Sequence, residues 1–183
     1  MTIPNFLTLS RILLTPVLVW LLLDRRMNQA LAVFFVAGVT DGLDGLIARL
    51  FHQKSQLGAY LDPLADKLLL VTSFFLLAWL DLIPYWLAII AISRDAMILL
   101  GMMTLMFHRI EVDIKPVLMS KLTTLFQLLT VLAAMGSSLV VLPAYVYGFL
   151  FLTTAAFSVV SGIQYLKIGL SIFEGHRSHN GRP

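Results

Sequence analysis

The sequence predicts an all-α integral membrane protein that crosses the bilayer six times and keeps both termini cytoplasmic, and three observations carry that expectation. Of its 183 residues, 59% are hydrophobic, and the mean hydropathy of +0.90 lies far beyond that of a soluble domain. Apolar runs close to the ~20 residues of a spanning helix recur about six times. Only short polar joints separate them, which leaves no room for a separate soluble domain. One membrane domain over residues 1–172 and a polar tail over 173–183 are expected.

The first run, Phe6 to Leu23, is too long for a signal-peptide core and no small-residue cleavage site follows it, so a retained helix is expected. Asn5 and Thr8 offer its start. Arg11 interrupts it early, either snorkelling to nearby headgroups or facing inward to a phosphate. Asp24, Arg25 and Arg26 form the first joint. A second helix begins near Gln29, passes Phe34 and Phe35, and carries Asp41 and Asp44 at its far end; Arg49, His52 and Lys54 mark the next turn. The third runs from about Gly58 through Asp62 and Asp66 to Leu80, with Pro63 in its first turns, where a missing amide donor costs little.

Asp81 and Pro84 separate that helix from a fourth, which ends at Phe107 and holds Arg94 and Asp95 well inside it. Charge is expensive there, so the two residues form an ion pair, mutual or between helices, or the arginine faces a substrate. His108 to Lys115 is a polar loop. Pro116 precedes a fifth helix with Lys121, Thr123, Thr124 and Gln127 near its start, and Pro143 opens the joint to a sixth ending around Lys167. The tail EGHRSHNGRP has no apolar face and is expected to be irregular.

Six crossings place Arg25 and Arg26 in one outer joint and leave the other two outer joints without a basic residue. Most of the thirteen lysines and arginines then lie toward the opposite face, which the positive-inside rule makes cytoplasmic. The acidic residues of helices two and three lie toward that same face. A bacterial cytoplasmic (inner) membrane with a site open to the cytoplasm is the expected setting. Cysteine is absent, which excludes disulfides, thiolate metal sites and cysteine nucleophiles. The net charge of +3 fits contact with anionic lipid headgroups, and the basic residues form no pattern that suggests nucleic acid. His52, His108, His176 and His179 have no helical ligand spacing inside the membrane and are expected in solvated loops.

The stretch from Asp41 to Asp66, DGLDGLIARLFHQKSQLGAYLDPLAD, carries the chemistry. Asp41 and Asp44 are three residues apart and Asp62 and Asp66 four, so each pair shares a helix face. An unpaired carboxylate at bilayer depth costs roughly 3 kcal/mol on insertion scales, so four together require compensation, and divalent cations supply it. All-oxygen carboxylate sites favour Mg²⁺, Mn²⁺ or Ca²⁺, and four aspartates suffice for two ions. Gly45, Ala48 and Gly58 lie on the same stripes. They permit close helix packing, or leave a gap for a flat base or a pyrophosphate. Phosphoryl-type transfer is the natural chemistry of such a site, with Arg49 and Lys67 placed to neutralise diphosphate charge.

The pattern D-x-x-D-G-x-x-A-R, eight residues, then G-x-x-x-D-x-x-x-D, filled here by Asp41, Asp44, Gly45, Ala48, Arg49, Gly58, Asp62 and Asp66, resembles the signature of the CDP-alcohol phosphotransferase family. The resemblance covers nearly the whole chain. It implies that Asp41, Asp44 and Asp62 hold two divalent cations, Mg²⁺ or Mn²⁺, and that Asp66 both ligates and serves as the general base. It further implies that Gly45, Ala48, Arg49 and Gly58, beside Asp41 and Asp44, receive the CDP part of CDP-diacylglycerol, and that an alcohol attacks with release of CMP. Similar proteins form homodimers.

Three segments, IPNFLTLSRILLTPV, LGAYLDPLADK and SKLTTLFQ, are similar to two branches of that family, one using glycerol 3-phosphate and one using phosphatidylglycerol as acceptor. The glycerol 3-phosphate branch usually has Arg-Glu in the fourth helix and a second arginine eight residues on. Here Asp95 follows Arg94, and Met102 stands at the second position. LIPYWLAIIAISRDAMIL resembles the cardiolipin-forming branch, which implies phosphatidylglycerol as acceptor, glycerol 3-phosphate being the alternative. Arg94, Lys121, Lys115, Lys67 and Arg11 are the candidate contacts to acceptor and phosphate. A divalent-cation transporter is a distant alternative: it explains the carboxylates but leaves Gly45, Ala48 and Gly58 without a reason, and it puts Arg49 where it would repel a cation.

Overall fold

The computed structural model describes the backbone of residues 3–51, 56–107 and 118–180 and, within these, the side chains of 12–40, 67–101, 103–104, 118–169 and 171. Among the described residues are six α-helices and one short 3-10 turn, with no strand. They are α1 (Ile3–Leu23), α2 (Met27–Phe51), α3 (Gln56–Trp79), α4 (Tyr85–Phe107), α5 (Leu118–Met135) and α6 (Ala144–Asn180). Each expected apolar run has become one helix. Pro16 lies inside α1 without ending it.

Two of the joints share one device. At the end of α1 the Arg26 amide reaches the Leu21 carbonyl at 2.9 Å and the Arg25 amide reaches Leu22 at 3.0 Å. At the end of α3 the Leu82 amide reaches Leu77 at 2.9 Å and the Asp81 amide reaches Ala78 at 3.0 Å. These bonds cap carbonyls that a helix end leaves bare, and they require one residue in the left-handed region. Arg25 and Asp81 take that place, with φ of 57° and 59°. Pro84, one residue before Tyr85, then starts α4, its carbonyl accepting the amides of Leu87 and Ala88.

The helices differ from expectation at one end. α6 continues to Asn180, where a stop near Lys167 and an irregular tail were expected. Polar residues do not end a helix that already has its nucleus, since each added residue contributes its own backbone bond, and no proline intervenes before Pro183.

α1 packs on α2 and α3, α3 on α4, and α6 lies against both α4 and α5, while α5 also reaches α2 and α3. The buried core is aliphatic and aromatic: Leu18, Leu22, Phe34, Leu70, Phe74, Leu77, Leu87, Val131 and Met135 are all but sealed from solvent. Large apolar side chains also cover the outside. Phe35, Phe75, Trp79, Ile89, Phe149 and Leu152 are each more than half exposed, a surface suited to hydrocarbon rather than water. Among the described residues, Leu118–Ser138 and Ala144–Gly169 are long and apolar enough to cross a membrane, and Ile12–Leu23, Met27–Thr40 and Lys67–Trp79 are shorter apolar stretches.

Candidate active site

Asp41, Asp44, Gly45, Ala48 and Arg49 fall in the C-terminal half of α2, and Gly58, Asp62 and Asp66 in the N-terminal half of α3. The helical backbone thus keeps the three- and four-residue spacings of the motif intact on two consecutive helices. The side chains of all eight lie outside the described residues, as do those of Arg11 and Lys115. Among the described residues no group of three histidines, aspartates or glutamates stands together as a metal site. The donor set itself suits a divalent cation: two aspartates on each of two helices are hard oxygen donors of the kind Mg²⁺ and Mn²⁺ take.

One residue beyond Asp66, the described part of the site begins. Lys67 Nζ donates to Asp95 Oδ1 at 2.9 Å, joining α3 to α4. Arg94 Nη1 donates to the same oxygen at 2.6 Å. The other Arg94 donors are also engaged: Nη2 bonds Ser120 Oγ of α5 at 2.8 Å and Ser161 Oγ of α6 at 2.7 Å, and Nε reaches Ser161 at 3.3 Å. Four helices therefore meet on one guanidinium and one carboxylate.

Both ion-pair arrangements foreseen for Arg94 and Asp95 occur together, within the helix and between helices. The Arg94 and Asp95 side chains are each 3% exposed, whereas Lys67 is 19% exposed. Charges at that depth persist only when paired and hydrogen-bonded, and here each nitrogen of the Arg94 guanidinium has an acceptor. Gly162 helps bring α4 against α6: a side chain there would meet the Met97 tip at 3.2 Å and Arg94 Cγ at 3.7 Å. Lys121, next to Ser120, is exposed on α5.

A polar seam runs on from this cluster between α5 and α6. Thr123 Oγ1 donates to the Met119 carbonyl and reaches the Phe157 carbonyl at 3.0 Å, and Thr130 and Thr154 share a hydrogen bond of 2.8 Å. Between them the buried Gln127 amide and Ser158 hydroxyl have no hydrogen-bond partner among the described residues. Of this seam the sequence expectations name Thr123 and Gln127 on the fifth helix, but neither Thr130 nor its α6 side, Thr154, Ser158 and Ser161. The signal was present: Ser120, Thr123, Gln127 and Thr130 on α5, and Thr154, Ser158 and Ser161 on α6, recur at three- and four-residue steps in otherwise apolar helices.

The bundle is all-α with large apolar side chains on its exterior, carries the acidic motif on two consecutive helices, and buries a cluster of two cations and one carboxylate that begins one residue after it. The CDP-alcohol phosphatidyltransferase family model matches residues 1–161, and the chain belongs to that family. Among its relatives, the rat cardiolipin synthase (CMP-forming) (Rattus norvegicus) is 40% identical over 152 residues, 74% of this chain and 50% of the relative. The human protein of the same name is 39% identical over 152 residues, with the same shares covered. A Streptomyces coelicolor cardiolipin synthase (CMP-forming) is 38% identical over 105 residues, 54% of this chain and 49% of the relative. The chain thus spans about half the length of the curated relatives it matches.

Proposed function

We propose that the chain is a six-span phosphatidyltransferase of a bacterial cytoplasmic membrane that moves the phosphatidyl group of CDP-diacylglycerol to phosphatidylglycerol, forming cardiolipin and CMP. The observation that carries this reading is the family match over residues 1–161, which includes the whole aspartate motif. The printed names of the matching relatives, cardiolipin synthase (CMP-forming), support phosphatidylglycerol as the acceptor. Glycerol 3-phosphate is the alternative acceptor. Both termini and the site face the cytoplasm, and two copies of the chain associate.

Asp41, Asp44, Asp62 and Asp66 hold two divalent cations, Mg²⁺ or Mn²⁺, which when bound neutralise the diphosphate and polarise the phosphorus under attack. Gly45, Ala48 and Gly58 leave room for the CDP group beside Asp41 and Asp44, and Arg49 offsets its charge. Asp66 takes the proton of the acceptor hydroxyl as that oxygen bonds to the phosphatidyl phosphorus and the bond from phosphorus to the CMP oxygen breaks. Lys67, Lys121, Lys115 and Arg11 meet the acceptor and donor phosphates, and Arg94 anchors the cationic wall behind them.

Purified chain in detergent, given CDP-diacylglycerol, Mg²⁺ or Mn²⁺ and either acceptor, is expected to release CMP and form cardiolipin with phosphatidylglycerol. Mass spectrometry of the lipid product distinguishes the acceptors. Phosphatidylglycerophosphate as the main product would reassign the acceptor, and cation flux with no CMP would reject the enzyme.

A further inference from the structure

We propose that the end of the bundle opposite the aspartate motif carries a binding site for an anionic phospholipid. Arg25 and Arg26 hold its phosphate, and Leu139, Val140 and Val141 receive the start of its acyl chains. The site is independent of the reaction and its acceptor, and requires only that the bundle sits in a bilayer.

The first ground is depth. Trp20 near the end of α1, Trp79 at the end of α3, Tyr85 at the start of α4 and Tyr145 at the start of α6 are each more than half exposed. Exposed tryptophan and tyrosine gather where hydrocarbon meets headgroups, so this end of the bundle lies at that boundary. The Arg26 guanidinium stands over the Trp20 ring, 5.4 Å from its centroid, and so lies at the same level.

The second ground is a shallow recess of about 330 Å³, lined by Arg25, Arg26, Met27, Asn28, Gln29 and Ser138. Its polar side chains offer donors. Arg25 is exposed, and its side chain has no hydrogen bond or ion pair among the described residues. Arg26 spends Nε on Asp24, which leaves both Nη atoms. Asn28 Oδ1 accepts from Ser138 Oγ at 2.7 Å, so that oxygen is engaged while the NH₂ group remains to donate. The same bond ties the start of α2 to the turn after α5, and the left-handed cap at Arg25 fixes the joint itself. The recess is thus preorganised.

The third ground is charge beside an apolar shelf. The charged residues at this end are all among those described: Asp24, Arg25 and Arg26 in the first joint, and Asp81 in the joint between α3 and α4. The joint between α5 and α6 has none. Asp24 answers Arg26, and Asp81 does not line the recess, so the recess keeps the positive charge of Arg25. Directly after Ser138, the side chains of Leu139, Val140 and Val141 are each 60% exposed or more. A cationic recess bordered by such a shelf matches a phosphate that carries acyl chains better than a soluble anion.

The test uses the full chain in phosphatidylcholine vesicles that contain a small fraction of phosphatidic acid bearing a photoactivated diazirine near its glycerol. Peptide mass spectrometry locates the label, so contact at this end is read separately from contact near the aspartate motif. Wild-type chain is expected to be labelled within residues 20–29 and 138–141. Arg25→Gly removes the cation and suits the left-handed backbone, so the joint is expected to survive. Labelling there is expected to fall roughly tenfold, the worth of one charge-assisted hydrogen bond. Arg25→Lys is expected to retain most of it, and Asp24→Asn to raise it, since Arg26 loses its carboxylate.

Thermal unfolding in detergent checks each variant, and Asp24→Asn decides alone if Arg25→Gly does not fold. Labelling that is unchanged in folded Arg25→Gly, that does not rise in Asp24→Asn, or that is equally strong with the same diazirine on phosphatidylcholine overturns the proposal. Loss of the label on adding excess inorganic phosphate assigns the recess to a soluble anion and overturns the lipid. All four outcomes leave the phosphatidyltransferase reading untouched.

Discussion

Asp66→Asn is expected to abolish CMP release, by about a hundredfold or more, while leaving much of the CDP-diacylglycerol binding in place. General-base catalysis contributes typically ~10²- to 10⁴-fold, and an amide cannot take the acceptor's proton at neutral pH. Asn retains one carbonyl oxygen, and Asp41, Asp44 and Asp62 remain as hard donors, so the donor lipid's diphosphate keeps most of its cationic grip. The position on α3 sharpens the test. Asp66 is directly followed by Lys67, whose ammonium is tied to Asp95, so the helix is pinned at that level and the variant is expected to keep its backbone there. Single-turnover CMP release and equilibrium binding of a CDP-diacylglycerol analogue separate the two effects. Unchanged turnover would remove Asp66 as the base.

Arg94→Ala is expected to have the second largest effect, on the fold as well as on the reaction. The guanidinium joins α4 to Ser120 of α5 and Ser161 of α6 and shares Asp95 with Lys67 of α3. Removing one partner from a buried ion pair costs about 3–5 kcal/mol, because the carboxylate left behind keeps its desolvation penalty. Here Lys67 still meets Asp95, so the lower end of that range is expected, read as a clear fall in the melting temperature of the detergent-solubilised chain. In the folded fraction the acceptor KM is expected to rise far more than the donor KM, because the cationic wall loses its anchor while the aspartate motif is untouched. Equal effects on both KM values would contradict a role on the acceptor side.

The helices were legible in the sequence because apolar runs end at strong punctuation: Asp24 to Arg26, Asp81 to Pro84, and Pro143. The left-handed caps at Arg25 and Asp81 were not, since a charged residue takes a place that glycine usually fills. The end of α6 was misplaced for a different reason: nothing in EGHRSHNG stops a helix already formed, and polarity alone is a weak breaker.

At the site, spacing along one helix was readable and contacts between helices were not. The pairs Asp41/Asp44 and Asp62/Asp66 stand out because carboxylates are rare among such neighbours, and the resemblance gave them roles. That Arg94 and Asp95 would pair was one of two readings, yet their link to Lys67 depends on how α3 lies against α4, which no periodicity encodes. Ser161 is harder still, being one serine among several on α6, and its partner lies 67 residues away.

Whether α2 and α3 together grip divalent cations through Asp41, Asp44, Asp62 and Asp66 can be read by titrating purified chain with Mn²⁺ and following free metal by electron paramagnetic resonance. In the presence of CDP-diacylglycerol two bound ions per chain are expected, with binding lost in Asp44→Asn on α2 and equally in Asp62→Asn on α3. Mn²⁺ binding that survives both substitutions, or that never occurs in the wild-type chain, would contradict it.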